Sequence, residues 1–221
     1  MPYIPNSDRN PFRSLFAFSW VWRTAIVAVL AVLVVRAVVL QVFYVPSPSM
    51  APTLRVSDRV LVDKLSPLWS QPGRGDVVVF DGADVWLPAG TDDAGPATRL
   101  ARFAGLVPGA DTLFVKRVIA VAGDTVACCT AAGALTVNGR PLSEPYATGS
   151  SQPFRVTVGE GRLWVMGDNR PESTDSRHYL GQPGGGTIPA HSVRGRVVAL
   201  VWPLGRAGIL SAPQAKDTDD R

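Results

Sequence analysis

Lysine is scarce in this chain, and cysteine and histidine are scarcer still. Each shortage closes off some chemistry. The only lysines are Lys64, Lys116 and Lys216, so the net charge of +4 and the pI near 9.4 come almost entirely from arginine. The arginines are spread along the chain and form no basic block, which leaves no nucleic-acid footprint. Anionic lipid is the simpler partner for the excess positive charge. The two histidines, His178 and His191, sit in Gly-rich, polar surroundings, and the two cysteines, Cys128 and Cys129, are adjacent. None of these has ligand spacing, so no metal and no cofactor are expected. A disulfide framework is excluded too, although an oxidising compartment leaves both a vicinal bridge and two free thiols open. Gly 21 and Pro 19 imply many turns and irregular connections in place of long helices.

One long apolar run is present, Thr24 to Val45 (TAIVAVLAVLVVRAVVLQVFYV), with Arg36 and Gln41 as its strongly polar members. It has the roughly 20 residues that a membrane-crossing helix needs. Arg36 would cost on the order of 3 kcal/mol at mid-bilayer. The cost falls if it snorkels at one face, which moves the span towards Phe16–Val35 with Trp20 and Trp22 near the opposite interface. A removable secretory signal has a basic start, a short apolar stretch and a small-residue cleavage site. Arg9 and Arg13 supply the start, but the run is long and ends in QVFYVPSPSM, with bulky residues where Ala-x-Ala belongs. An uncleaved anchor is therefore the expectation. The positive-inside bias places the N-terminus in the cytoplasm and everything from Pro46 onward outside it.

The 221 residues leave about 175 beyond the run, enough for one domain with its own core. That part reads as short strands. They fall at Asp58–Lys64, Gly75–Phe80 (continuous enough to be buried on both faces), Thr112–Val121, Phe154–Val158, Arg162–Met166 and Val193–Val201. Leu135–Leu142 carries Asn138-Gly139, a strong hairpin signal. Pro and Gly interrupt Asp81–Asp111, where Ala97–Leu106 is a candidate short helix, and Ser211–Arg221 is a polar tail. The expected organisation is a cytoplasmic segment 1–22, a span 23–45, an extracytoplasmic β domain 46–207 with an insertion at about 81–111, and a tail 208–221. The fold class is mostly β on one membrane helix.

Two residues draw chemical attention. Lys116 interrupts the apolar strand LFVKRVIAV beside Arg117. Neighbouring strand residues face opposite sides, so one of the pair points inward unless the strand is a wet edge. A desolvated lysine is disfavoured in its charged form, and a neutral amine can take a proton from a serine hydroxyl. Ser49 lies in PSPSMAPTL just past the apolar run. Serine beside proline often only shapes a turn, but serine–lysine pairing is a known variant of the serine–base arrangement.

Three segments in order, PSPSMAPTL (46–54), VKRVIAVAGD (115–124) and GDNRPESTDSR (167–177), with GDVVVF (75–80) as a weaker fourth, resemble the type I signal peptidases. These are membrane-anchored Ser/Lys endopeptidases of bacteria. The resemblance implies a signal-peptidase-like β domain. It implies Ser49 as nucleophile, Lys116 as general base, Ser47 as an oxyanion donor beside the Ser49 backbone N–H, and Ser173 as the group that orients the lysine. Asp175 and Arg177 match residues that hold the site together; Asp168, Asn169 and Asp175 read by composition as turn-makers, with a local Asp175–Arg177 ion pair. Arg170 is counted with them as structural support. The proline bonds of Pro46 and Pro48 restrict the backbone around Ser47. Pro171-Glu172 and Ala122 depart from the family pattern, which bears on loop conformation.

The implied function is removal of signal peptides from exported preproteins at the plasma membrane, through an acyl-enzyme. A substrate strand would pair near Phe43–Ser47 and Phe114–Val115. Its small side chains would enter shallow pockets lined by Val45, Pro46, Met50, Leu54, Phe114 and Val115. Trp202 is either interfacial or core. The rival readings are an inactive anchored β scaffold, a specialised Ser/Lys processing peptidase, and a self-cleaving repressor-type domain, whose DNA-binding module has no room where the apolar run lies.

Overall fold

The computed structural model describes residues 12–83, 85–86, 95, 97, 112–149 and 152–210. The short helix expected over 97–106 falls outside them apart from residue 97, as does most of the insertion and all of 211–221.

A 27-residue helix, α1 (Phe12–Val38), opens the chain. The helix expected over 23–45 thus starts earlier and stops at Val38. The last apolar residues form strand β1 (Leu40–Tyr44), which runs antiparallel to β2 (Arg59–Asp63) with Leu40 opposite Asp63 and Tyr44 opposite Arg59. Val42, Phe43 and Tyr44 suit a pleated surface better than a helix, and Pro46 just beyond disfavours helical continuation. Side chains of α1 are described for 20–33 only, and their large apolar members, Trp20 to Leu33, are exposed. Among the described residues no helix is long and apolar enough to cross a membrane.

The chain continues through α2 (Ser66–Trp69), β3 (Val77–Asp81), β4 (Leu113–Val121), β5 (Thr125–Cys128), β6 (Leu135–Val137) and β7 (Arg140–Pro141). Then come β8 (Phe154–Thr157), β9 (Arg162–Met166), β10 (Ile188–Pro189), β11 (Val193–Trp202) and β12 (Gly208–Ile209). One antiparallel sheet has the order β1-β2-β11-β3-β4-β9-β10, with β12 against β11. A second has the order β7-β6-β5-β8. The expected strands are all present. Expected tail residues 208 and 209 instead form β12, where Ile209 faces Ala199, because β11 offers a free edge past Arg196.

β3 shows why the main sheet holds together. Val77 and Val79 point into one apolar cluster with Val60, Val62, Leu54 and Val197, while Val78 and Phe80 point into a second with Val118, Val165 and Ile188. A strand buried on both faces needs a continuous apolar run, which is what 77–80 supplies. A third cluster, around Trp164, Ile119 and Val126, joins the two sheets. Asn138 and Gly139, at φ of 53° and 79°, close the β6–β7 hairpin as their dipeptide implied. Cys128 and Cys129 are joined as a disulfide at the end of β5. Trp202 is about half exposed, so it is not a core residue.

Candidate active site

Ser49 sits in a single 3-10 turn, Pro48–Met50, with Pro48 at its first position and the Ala51 N–H donating to the Pro48 carbonyl. Proline's fixed φ suits a turn start. Ser47 precedes the turn in extended conformation, and its Oγ lies 3.2 Å from Ser49 Oγ. The turn packs over β4 and is held on its other side by the 167–170 loop. There the Asn169 N–H donates to the Ser49 carbonyl (3.1 Å) and Asn169 Nδ2 donates to the Pro48 carbonyl (3.2 Å). Gly167 permits this approach, since a Cβ there would overlap both the Ser49 carbonyl oxygen and Ser173 Oγ.

β4 supplies the base. Lys116 is 3 % exposed, and its Nζ is hydrogen-bonded to Ser49 Oγ at 2.7 Å. Burial pushes the amine down from 10.5 to about 8; Arg177 assists, while the charges of Asp175 and Asp168 oppose. A buried amine in hydrogen-bond contact with a hydroxyl, and neutral in part near physiological pH, is the arrangement that serine activation requires. No third residue intervenes.

Both members of the Lys116–Arg117 pair are buried, which strand alternation alone did not imply. Arg117 is covered because it donates from Nε (2.8 Å) and Nη2 (2.7 Å) to the two oxygens of Asp168, and from Nη1 to the Gly75 carbonyl. Asp168 is fully buried and also accepts from Thr53 Oγ1 at 2.5 Å. It is therefore an ion-pair partner tying the nucleophile segment to β4, a correction to its reading as a turn-maker. Asp175 is likewise buried. It accepts from Gly167 N–H (3.0 Å) and holds Arg177 through two 2.8 Å bonds. Burial works against its charge, yet the hydrogen bonds and charge of Arg177 and the Gly167 N–H keep the carboxyl below its ordinary range. Asp175 also caps the Ser176–Tyr179 turn, so its turn-making role stands beside the ion pair expected with Arg177.

Ser173 is brought to the site, beside Gly167 and the Ser49 carbonyl, but its Oγ makes no hydrogen bond at normal geometry and none to Lys116. It lies near enough to Asp175 to favour that carboxylate's charge. Pro171 and Glu172, which depart from the family pattern, complete a 3-10 turn, Arg170–Glu172.

The expected pocket lining is changed. Val45, Met50 and Leu54 bury to 0–2 % exposure in the first core cluster and present no surface here. The Phe114 ring stacks on Phe80 at 5.7 Å and meets Trp86 edge-on, so it belongs to the second cluster. Phe43, Leu113 and Val115 are only partly buried and Pro46 is exposed. Main-chain positions fare better. β9 pairs with β4 only from Arg117 onward, so among the described residues no strand lies against that edge of Leu113–Lys116. β1 is the terminal strand of its sheet.

Three residues that sequence reasoning passed over, Glu144, Tyr146 and Thr148, also reach the site. Tyr146 places its ring 3.9 Å from the Arg117 guanidinium, Glu144 pairs with the buried Arg170, and the Thr148 N–H donates to the Asp168 carbonyl. Their only signal in the chain is an aromatic and an acid in an otherwise turn-like stretch.

The chain is similar in sequence to known proteins. Residues 17–202 match the family model described as "Signal peptidase, peptidase S26". A signal peptidase I of Mycobacterium tuberculosis is 40 % identical over 84 % of this chain and 73 % of its own length. A protein of Mycobacterium leprae, named probable signal peptidase I, is 39 % identical over 86 % of this chain and 79 % of its own. A crystal structure of a signal peptidase I from Enterococcus faecalis is 26 % identical, covers 58 % of this chain and 97 % of that one, and superposes with a TM-score of 0.38. On the family match and these identities, the chain belongs to the signal peptidase family, peptidase S26.

Proposed function

We propose that this chain is a membrane-anchored serine endopeptidase that cleaves signal peptides from exported preproteins. The observation that carries the reading is the buried 2.7 Å contact between Lys116 Nζ and Ser49 Oγ. Neutral Lys116 accepts the Ser49 proton as Oγ attacks the scissile carbonyl. The tetrahedral intermediate gathers negative charge, which the Ser49 backbone N–H and the Ser47 hydroxyl stabilise. Lys116 then returns the proton to the leaving amine. The resulting acyl-enzyme is hydrolysed by a water that Lys116 deprotonates. Ser173 and Asp175 support the loop behind the lysine.

An extended substrate adds to the unpaired edge of Leu113–Lys116 and runs past Phe43–Ser47, so its carbonyl arrives at Ser49 in register. Small substrate side chains fit where Val115 and Pro46 leave shallow surface. The anchor is the apolar run read from the sequence at 24–45. The described side chains of α1, 20–33, are exposed and apolar apart from Arg23 and Thr24, which suits contact with lipid. The N-terminus then lies in the cytoplasm and the β domain outside it. Anchoring confines enzyme and tethered substrate to one surface, raising their effective concentration.

Incubating the full chain in detergent with a preprotein bearing an Ala-x-Ala site tests the reading. Wild type should release the mature protein, and Ser49→Ala and Lys116→Ala should not. A scaffold would leave the preprotein intact with all three.

A further inference from the structure

The stretch between β7 and β8 touches a neighbour of each catalytic residue: the 167–170 loop that holds the Ser49 turn, and Arg117 beside Lys116. On one side the Thr148 N–H donates to the Asp168 carbonyl at 2.8 Å, and the Arg170 N–H donates back to the Thr148 carbonyl at 3.0 Å. Thr148 and Asn169 form a parallel bridge. Glu144 pairs with Arg170, whose Nε donates to the Gly167 carbonyl at 2.9 Å. This is the loop that holds the Ser49 turn through Asn169. On the other side the Tyr146 ring covers the Arg117 guanidinium at 3.9 Å, next along β4 from Lys116. The Tyr146 hydroxyl donates to Glu144 at 3.4 Å, joining the two anchors. Gly149, at φ of 77°, closes the strap tightly on Pro171.

We propose that Glu144 and Tyr146 are positioning residues of this peptidase: they clamp the Ser49 turn and the Lys116 strand against each other and keep water from the Arg117–Asp168 pair behind them. The inference rests on the Ser/Lys reading given above. A cation over an aromatic face gains most where water is excluded, and Asp168 stays neutralised only while Arg117 stays on it. The charged groups acting on Lys116 are Asp175, Arg177 and Asp168, all from the 167–177 segment; β3 presents apolar Val78 opposite, and Arg117, next along the strand, is bonded to Asp168. Loosening the strap hydrates this cluster and leaves Asp168 less compensated. Both changes favour protonated Lys116, so its titration moves up from about 8 towards 10.5.

The test is the pH dependence of kcat and KM for the full chain in detergent on a peptide spanning an Ala-x-Ala site. It compares wild type with Tyr146→Leu, Glu144→Gln and Tyr146→Phe. Tyr146→Leu and Glu144→Gln should move the acid limb up by about half to one unit, a roughly 3- to 10-fold loss near pH 7 that is largely regained at high pH, with KM little changed. Tyr146→Phe keeps the ring over the guanidinium and loses only the long bond to Glu144, so its limb should move less than that of Tyr146→Leu. An even loss at every pH with the limb unmoved would reduce the strap to a stability element and overturn the inference, as would wild-type profiles from both variants. Should Tyr146→Leu fail to fold, Glu144→Gln decides alone. Absence of cleavage by wild type would instead overturn the peptidase reading itself.

Discussion

Ser49 and Lys116 are 67 positions apart in the chain, and their contact exists because a proline-started turn is laid over a strand that buries its lysine. The folded amine titrates near 8, below the ordinary 10.5, so folding favours its neutral form. Two outcomes follow from that sign. Activity should rise with pH along an acid limb centred near 8; a limb absent between pH 6 and 9 would contradict Lys116 as base. Stability carries the opposite cost. Below about pH 8 the amine is charged both folded and unfolded, and its burial penalty is present in full. The penalty shrinks between 8 and 10.5 and is absent above. Lys116→Met, close in shape, should therefore abolish cleavage yet raise stability at pH 7 by about 1–3 kcal/mol in denaturant melts. A destabilised Met variant would show that the lysine is stabilising after all.

At the scale of elements, β4 and the 167–177 loop are joined by buried ion pairs. Replacing Asp168 by Asn leaves the Arg117 charge buried without its partner, which should cost about 3–5 kcal/mol in thermal or chemical unfolding. A change below 1 kcal/mol would show that the pair is dispensable. The strands themselves were legible. The run Val77–Phe80 has to be buried on both faces, and Asn138-Gly139 has to be a tight turn. The boundary between α1 and β1 was not, because the apolar run continues from the helix into the strand, and pairing with β2 decides where the strand begins. Asp168 read only as a turn-maker, and motif resemblance pointed to Asp175 and Arg177 as residues that hold the site together. It could not show that Asp168 faces Arg117, since that contact spans 51 positions.

For the whole molecule, the proposed placement of the site beside a lipid surface depends on the apolar run at 24–45. The full chain should float with liposomes through a high-salt and alkaline wash, because an anchor of this kind is held by apolar transfer and not by charge. Release into the wash would remove the anchor from the proposal. The amino-acid order alone determined that a serine and a lysine inside an apolar strand follow one long apolar run, and the three motifs in their order carried the family. Periodicity and turn chemistry are local properties, so they could be read directly. Only the tertiary structure decided that Lys116 is dry, that Val45, Met50 and Leu54 lie in the core, and that Glu144 and Tyr146 stand behind the site. Burial and long-range contact are set by which elements pack on which, and no single segment contains that information.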